Sequence, residues 1–433
     1  MQITIFGSIL IIFIIIAYFK SFKALAYVYV ISYLFQVSSV INIGNIGICP
    51  YIITPICLFL KGLNYPSKNV SKIKKDCIYL ILFCIIHSII ATTLFEGIKV
   101  YASGGLETNL ASSGVPLKFS FSNITQCIYL IINAMGLVTL ISHKYLLDKH
   151  FSLNIIKFCT IFVLIIGYWR YITINFGGWF PENIIYSNMT YALDNTAQIS
   201  MGKFRFTSCF IEASICGFFI GIFFWFISIS KIKFKILYLI PLFISLILTL
   251  STSGFYILFG GGVFYLIYSK KYSTAFKVIP IIIIIYIIIK SLSIWEELSI
   301  ILFEKLESQS GEARLEIMIY CWKLFLKTYG FGCGLGSSIG TNILVSMLSQ
   351  VGILGTLILI KLISDIYQYS IKNSIKICNV ILLSLILGMI ISIGNLSFPL
   401  LWLTLAIILC QNPNDLISSL SIPNITRQSN KKM

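Results

Sequence analysis

Charge is what this chain has least of. Of its 433 residues, 11% are Asp, Glu, Lys or Arg and 58% are hydrophobic, whereas soluble domains carry about 25% charged residues. That scarcity excludes an ordinary water-soluble domain. Histidine is scarcer still: His87, His143 and His150 stand alone, so no metal-ligand cluster can be assembled from them. The twelve cysteines are scattered, mostly inside apolar runs, with no C-x-x-C spacing. They read as small buried hydrophobes, although Cys321 and Cys333 share one loop and could pair. No Asp, Glu, Lys or Arg falls near the middle of any long apolar run. This argues against an ion-coupled transporter, which places such groups at mid-membrane. His87 is the one ionisable residue there and reads as a core histidine.

Long apolar runs fill the rest. They recur over about 3–19, 22–41, 43–60, 77–96, 123–142, 153–171, 209–229, 236–251, 254–269, 278–294, 341–361, 377–393 and 396–410. Each is long enough to cross a ~30 Å hydrocarbon core as a helix. They do not alternate as barrel strands would. The expectation is an all-α polytopic membrane protein with about 12–13 transmembrane helices. Residues 1–410 form one bundle and 411–433 a cytoplasmic tail. The first run has no positive residue ahead of it and no small-residue cleavage site behind it, so it reads as a retained span.

Lysine placement sets the expected orientation. "KSFK" (20–23), "SKNVSKIKK" (67–75), "HKYLLDKH" (143–150), "KIKFK" (231–235), "KKYSTAFK" (270–277), the 361–376 loop and the tail all fall on one side, which is the expected cytoplasmic face. That side collects 21 lysines and one arginine against four acids; the other collects seven lysines and three arginines against eleven. The net charge of +17 is therefore a topology signal with inner-leaflet attraction, and does not point to nucleic acid. The expected location is a bacterial inner membrane, with the C-terminus cytoplasmic and the N-terminus outside.

Two expected outer loops are long, 172–208 and 295–340, and a third, 97–122, is shorter; loops of this length usually have a task. The first holds "NFGGWFPENIIYSNMTYALDN". The second holds a predicted helix over 312–328, with Leu315, Met318, Ile319, Trp322, Phe325 and Leu326 on one apolar face. It is expected to lie on the membrane surface. "GFGCGLGSS" (330–338) ends it with glycines at alternate positions.

Arginine is the residue whose placement breaks the pattern. Only four are present against 28 lysines, and Arg170, Arg205 and Arg314 all fall on the outer side, with Arg427 in the tail. A guanidinium keeps its charge and grips phosphate or carboxylate with two parallel hydrogen bonds. The alternative for each is a rim arginine snorkelling to headgroups. The runs opening near 209 and 341 would both present their N-termini outward, where free N–H groups and the helix dipole favour an anion. Arg205, with Lys203 beside it, precedes the first. The 330–338 loop, with Gly332 and Gly334 and backbone N–H groups expected to be exposed, precedes the second. Together these suit a lipid-linked phosphate or diphosphate.

These residues resemble a family. "RFTSCFIEA" (205–213) resembles the R-x-x-G-x-F-x-E-P stretch of O-antigen and exopolysaccharide polymerases of the Wzy type, relatives of the O-antigen ligases. "TLSTSGFYIL" (249–258) resembles the short outer turn that follows. "GEARLEIMIYCWKLFLKTYGFGCGLGSS" (311–338) is similar to the family's large outer loop, and "TNILVSMLSQVGILG" (341–355) to the span after it. "VINIGNIGICPYIITPICLFL" near the start is also similar. Ser208 stands where the family has Gly, Ala213 where it has Pro, and Thr341 where ligases carry a histidine.

The resemblance implies a glycosyltransferase-C-like membrane enzyme, without metal or other cofactor. It would join oligosaccharide repeat units carried on undecaprenyl diphosphate at the periplasmic face. Arg205 and Arg314 would stabilise the diphosphate as leaving group. A carboxylate would take the proton of the attacking hydroxyl, with Glu212, Glu312 and Glu316 as candidates; Glu212 could instead orient Arg205. Arg170, Lys203, Gly332, Gly334 and Trp322 would bind diphosphate or sugar. Trp179, Phe180, Tyr186 and Tyr191 could stack on sugars or serve as interfacial anchors. The implied partners are the lipid-linked oligosaccharide, membrane lipid and a polysaccharide chain-length regulator. Ligase and flippase are the alternative readings.

Overall fold

A computed structural model describes residues 1–67, 71–101, 114–190, 199–200, 203–269 and 309–417. The 278–294 run, residues 295–308 of the second long loop, residues 102–113 and 191–198, and the tail beyond 417 lie outside these, and with them Tyr191 and Arg427.

The described chain is mostly helical. Thr4 caps α1 (Ile5–Lys20) by accepting from the Gly7 N–H at 2.8 Å. Ser21, fully extended, ends that helix and caps α2 (Phe22–Ser32) through the Ala24 N–H. Then come α3 (Pro50–Gly62), with proline at its first position, α4 (Ser71–Leu94), α5 (Phe121–Ser142), α6 (Phe151–Phe176) and the single turn α7 (Glu182–Ile185). The second half has α8 (Ala213–Ile229), α9 (Ile236–Leu248), α10 (Thr252–Ser269), α11 (Gln309–Lys327), α12 (Ile343–Lys372), α13 (Asn379–Ser392) and α14 (Pro399–Cys410).

Among the described residues four helices, α4, α5, α6 and α12, are long and apolar enough to cross a membrane. At 1.5 Å per residue, the 22 residues of α5 already cover about 33 Å. Most of the others have 10–17 residues, so the expected 22–41 span needs correction. Its helix stops at Ser32. Residues Ile41–Ile43 (β2) and Ile46–Ile48 (β3) form a hairpin, and Gln2–Ile3 (β1) adds to its edge. The turn between them uses Gly44 at φ +59°, a conformation glycine adopts without a Cβ penalty. Alternating isoleucines at 41, 43, 46 and 48 suit strand pairing. Helix α3 accordingly begins at Pro50.

Small residues allow a close helix contact between α8 and α10. A Cβ on Gly254 of α10 would lie 2.7 Å from the Gly217 carbonyl of α8, and one on Gly221 3.0 Å from the Gly254 carbonyl. Glycine is what lets these two backbones touch, as at many membrane helix crossings.

The loops sort to two ends. At one, Lys23 pairs with Asp148 (3.1 Å), Lys144 donates to the Leu409 and Gln411 carbonyls, His150 meets Asp415 (2.6 Å), and Lys361 pairs with both Asp76 and Asp365. This is the lysine end, and it gathers the described segments near 23, 76, 144–150, 361–365 and 409–415; the 270–277 segment lies outside the described residues. At the other, the loop end, Ser38 and Asn42 donate to the carbonyls of Ile185 and Ser187. The short strands Lys99–Val100 (β4) and Val115–Pro116 (β5) pair there. Residues 2–4 lie at the loop end and residue 417 at the lysine end.

Helix α12 is broken. Gly352 has φ +68°, ψ −168°, about 13 Å along the helix from Ile343. The break accommodates the glycine-rich segment that follows α11, and Ile353 N–H donates to the Gly330 carbonyl at 3.0 Å.

Candidate functional site

Arg205 leaves the strand Lys203–Phe204 (β7), which pairs with Ile199–Ser200 (β6). Its Nε donates to the Thr249 carbonyl (2.9 Å) and its Nη2 to the Leu250 carbonyl (3.1 Å). These carbonyls close α9, where the last turn leaves acceptors unmatched and the dipole is negative. The guanidinium is thereby fixed in orientation and stays half-buried. Burial pushes its pKa down, Glu212 opposes that shift and the charge of Arg314 adds to it. Arg205 therefore lies within the electrostatic reach of both.

Glu212 occupies the N-cap position of α8, exposed, with extended backbone. Its Oε2 accepts from the Ser214 hydroxyl at 2.8 Å. Arg314 lies near the start of α11, half-buried. The Thr341 hydroxyl donates to its carbonyl at 3.2 Å, which ties α11 to the head of α12. There Asn342 caps the helix by accepting from the Leu344 (2.9 Å) and Val345 (3.3 Å) N–H groups. The fold thus converges three segments, 205–214, 249–253 and 314–342, on two guanidiniums and one carboxylate. Two guanidiniums with a carboxylate within reach can hold a polyanion and accept a proton beside it.

Other sequence candidates fall elsewhere. Arg170 is inside the protein, 1% exposed. Its Nη2 and Nε contact Glu182 (2.8 and 3.3 Å), its Nη1 donates to Thr207, and its guanidinium lies over the rings of Tyr186 (3.9 Å) and Phe204 (4.6 Å). It ties α6 to the loop above it and presents nothing to the surface, neither as an anion ligand nor as a snorkelling rim residue. Lys203 lies two positions before Arg205, on β7. Trp322 is exposed, with its ring 5.3 Å from Phe325. Glu316 is exposed on α11 and Glu312 lies in its first turn.

Gly332 and Gly334 do not offer the exposed N–H groups expected of them. Gly332 N–H donates to the Thr328 hydroxyl (3.1 Å), Cys333 N–H to the Ser349 carbonyl (2.9 Å), and Gly334 N–H to the Gln350 carbonyl (2.7 Å). Leu335 and Gly336 N–H donate to the Ser88 hydroxyl and Gln350 Oε1, both at 2.9 Å. A Cβ on Gly332 would lie 2.6 Å from the Gly352 nitrogen. The segment is therefore a plug between α4, α5 and α12, and its glycines hold positive φ so that the backbone can reach the break in α12. Irregular backbone at membrane depth is tolerated only when buried in protein, and the segment satisfies that condition.

His87 belongs to the same plug. Its Nε2 bonds the Phe331 carbonyl at 2.8 Å, and its ring stacks between Phe83 and Phe331. The core reading of this histidine stands; its partner came from a loop 244 residues away. Cys321 and Cys333 are both free, buried thiols, so the pairing does not occur.

Sequence reading passed over Ser214, Thr341 as a tie, and Gln350. Gln350 was detectable as a polar side chain inside the apolar run "SMLSQVGILG". No protein-family model matches the chain, and no curated protein matches it.

Proposed function

We propose that this chain is a membrane glycosyltransferase of the O-antigen polymerase kind. It would join oligosaccharide repeat units carried on undecaprenyl diphosphate. The reading places it in a bacterial inner membrane with about 12–13 spans, a glycosyltransferase-C-like bundle, loops 172–208 and 295–340 in the periplasm and the C-terminus in the cytoplasm. The observation that carries it is that Arg205, fixed on the Thr249 and Leu250 carbonyls, lies within electrostatic reach of Glu212 and of Arg314, about a hundred residues further on. Two guanidiniums match the charge of a diphosphate leaving group. Glu212, exposed and held through one oxygen by Ser214, keeps its other oxygen for the proton of the attacking hydroxyl. Segregation of the lysines to the opposite end supports the orientation.

The test is a gel of surface polysaccharide from a strain lacking the chain, beside one with it restored. Collapse of the ladder to core plus a single repeat supports a polymerase. Loss of every repeat from the core overturns it in favour of a ligase or flippase, and accumulated polymer on undecaprenyl diphosphate would then single out the ligase.

A further inference from the structure

Helix α11 presents four different faces. Ile317, Cys321, Leu324 and Thr328 pack inward, while Leu315, Ile319, Trp322 and Leu326 point the opposite way and are exposed. Glu316, Lys323 and Lys327 each follow a member of that stripe by one residue, so all three turn about 100° to one side of it, and all three are exposed. Arg314, Met318 and Phe325 each precede a member, so they turn to the other side, where they are half-buried. A contiguous apolar stripe on a surface helix marks something that covers it. Where the helix sits decides what that is.

Contacts to α4 and to the strands beyond it fix the height of α11. The Tyr320 hydroxyl donates to the Lys99 carbonyl, and its ring lies 4.2 Å from that of Tyr101; both partners come after Leu94, the last residue of α4. Leu324 packs with Val100 and Leu117 at the same level. Phe331, just past the helix, accepts from or donates through its carbonyl partner His87 Nε2 at 2.8 Å. From Leu94 back to His87, α4 covers about 10 Å at 1.5 Å per residue. The chain then climbs again. The Gly336 carbonyl accepts from Ser122 in the first turn of α5 (2.8 Å), and the Ile339 N–H donates to the Tyr101 carbonyl (3.0 Å). Residues 320–339 therefore go in from the loop end and return to it, and α11 is oblique, with its C-terminal end lower than its start.

That height identifies the cover. Helices α4 and α12 are long and apolar enough to cross a membrane, and at this level both carry exposed aliphatic residues: Ile86, Ile89 and Ile90 on α4, and Ile353, Leu354 and Leu357 on α12. The Ile353 N–H donates to the Gly330 carbonyl (3.0 Å), and a Cβ on Gly330 would lie 3.1 Å from Ile353 Cδ1, which joins the lower end of the α11 stripe to this surface. A water-soluble partner cannot follow the stripe below the end of α4, whereas acyl chains can. We infer that α11 is inserted obliquely into the leaflet on the loop-end side, with Leu315, Ile319, Trp322 and Leu326 against lipid acyl chains, as the descending arm of a re-entrant segment over residues 309–339. The inference is independent of the function proposed above. The flank of Glu316, Lys323 and Lys327 turns toward the headgroups, where the long lysine stems let the charges reach water. Trp322, between shallow Leu315 and deeper Leu326, occupies the interfacial zone that tryptophan favours. The insertion also sets the height of Arg314, on the opposite flank.

The experiment uses the purified full chain in phosphatidylcholine vesicles, with Cys57→Ser and a nitroxide on Leu315→Cys, Ile319→Cys, Lys323→Cys or Leu326→Cys in turn. Collision with oxygen, which concentrates in hydrocarbon, is compared with collision with a nickel chelate, which stays in water. The preference for oxygen is expected to rise from 315 through 319 to 326. Position 326 should lie about 10 Å deeper than position 315, the descent measured along α4, and position 323 should favour the chelate. Equal depth at 315 and 326 means a helix lying flat and overturns the insertion. Chelate access at all four positions, or shielding from both reagents by a bound protein or a second copy, overturns the lipid contact. Trp322 repeats the test without a label. The part of the fluorescence that is lost in Trp322→Phe should be quenched by phosphatidylcholine brominated on its acyl chains, and quenching by aqueous iodide alone would sink the inference.

Discussion

Among the arginines, the same residue type serves two opposite ends. Arg205 and Arg314 stay half-buried at the loop end with Glu212 nearby, whereas Arg170 is enclosed by Glu182, Thr207 and two aromatic rings. Their replacements should therefore separate. Arg205→Ala should leave the protein folded and reduce polymer formation about 10²–10³-fold, the usual loss on removing one charge-stabilising donor. Arg314→Lys should cost about tenfold or more, because charge survives but the two-bonded grip does not. Both are read by incorporation of labelled repeat units. Intact activity in both would sink the diphosphate clamp. Glu182→Gln should instead remove the counter-charge of a buried guanidinium and destabilise the fold by about 1–3 kcal/mol. A thermal-unfolding shift in detergent measures it. The sequence set Arg170 at the end of the 153–171 run and Arg205 and Arg314 in the outer loops, all three on one side; the enclosure of Arg170 is what separates it from the others.

Element scale brings the clearest departure from the sequence pattern. The predicted surface helix exists as α11, but its packed face is Ile317, Cys321, Leu324 and Thr328. The expected apolar stripe, with Leu315, Ile319, Trp322 and Leu326, faces outward. The helix runs beside the first part of α12, with Arg314 at the level of Thr341 and Gly330 at the level of Ile353. The glycines after it complete a plug rather than an anion nest. Gly332→Ala should therefore act on stability: a Cβ 2.6 Å from backbone nitrogen at φ +93° combines steric conflict with a left-handed conformation costing about 1–2 kcal/mol by itself. The expected result is a large drop in folded yield in detergent, by size-exclusion profile. A well-folded but inactive variant would restore a direct ligand role for this segment.

Across the whole molecule, the prediction concerns sidedness. The two ends differ in charge, and the twelve native cysteines are buried apart from the half-buried Cys57. Single cysteines introduced at exposed positions can then be read against a low background. Glu316→Cys, at the loop end, should react with a membrane-impermeant maleimide on cells with a permeabilised outer membrane. Lys372→Cys, at the lysine end, should react only after the inner membrane is opened. The reverse pattern would invert the topology and move the arginine site to the cytoplasm.

By itself, the sequence determined the helical membrane character and the sorting of the loops. Both follow from local quantities: apolar run length against bilayer thickness, and lysine placement between runs. It also picked out 205–213 and 311–338 as candidates for one site. The tertiary structure decided what depends on contacts between distant segments. It decided that Arg170 is enclosed, that residues 33–49 leave the helix for a hairpin, that α12 breaks at Gly352, and that the glycine N–H groups are already bonded. A glycine's φ and a guanidinium's partners are set by whatever backbone arrives opposite. That backbone comes from up to a few hundred residues away, beyond the reach of any window of local pattern.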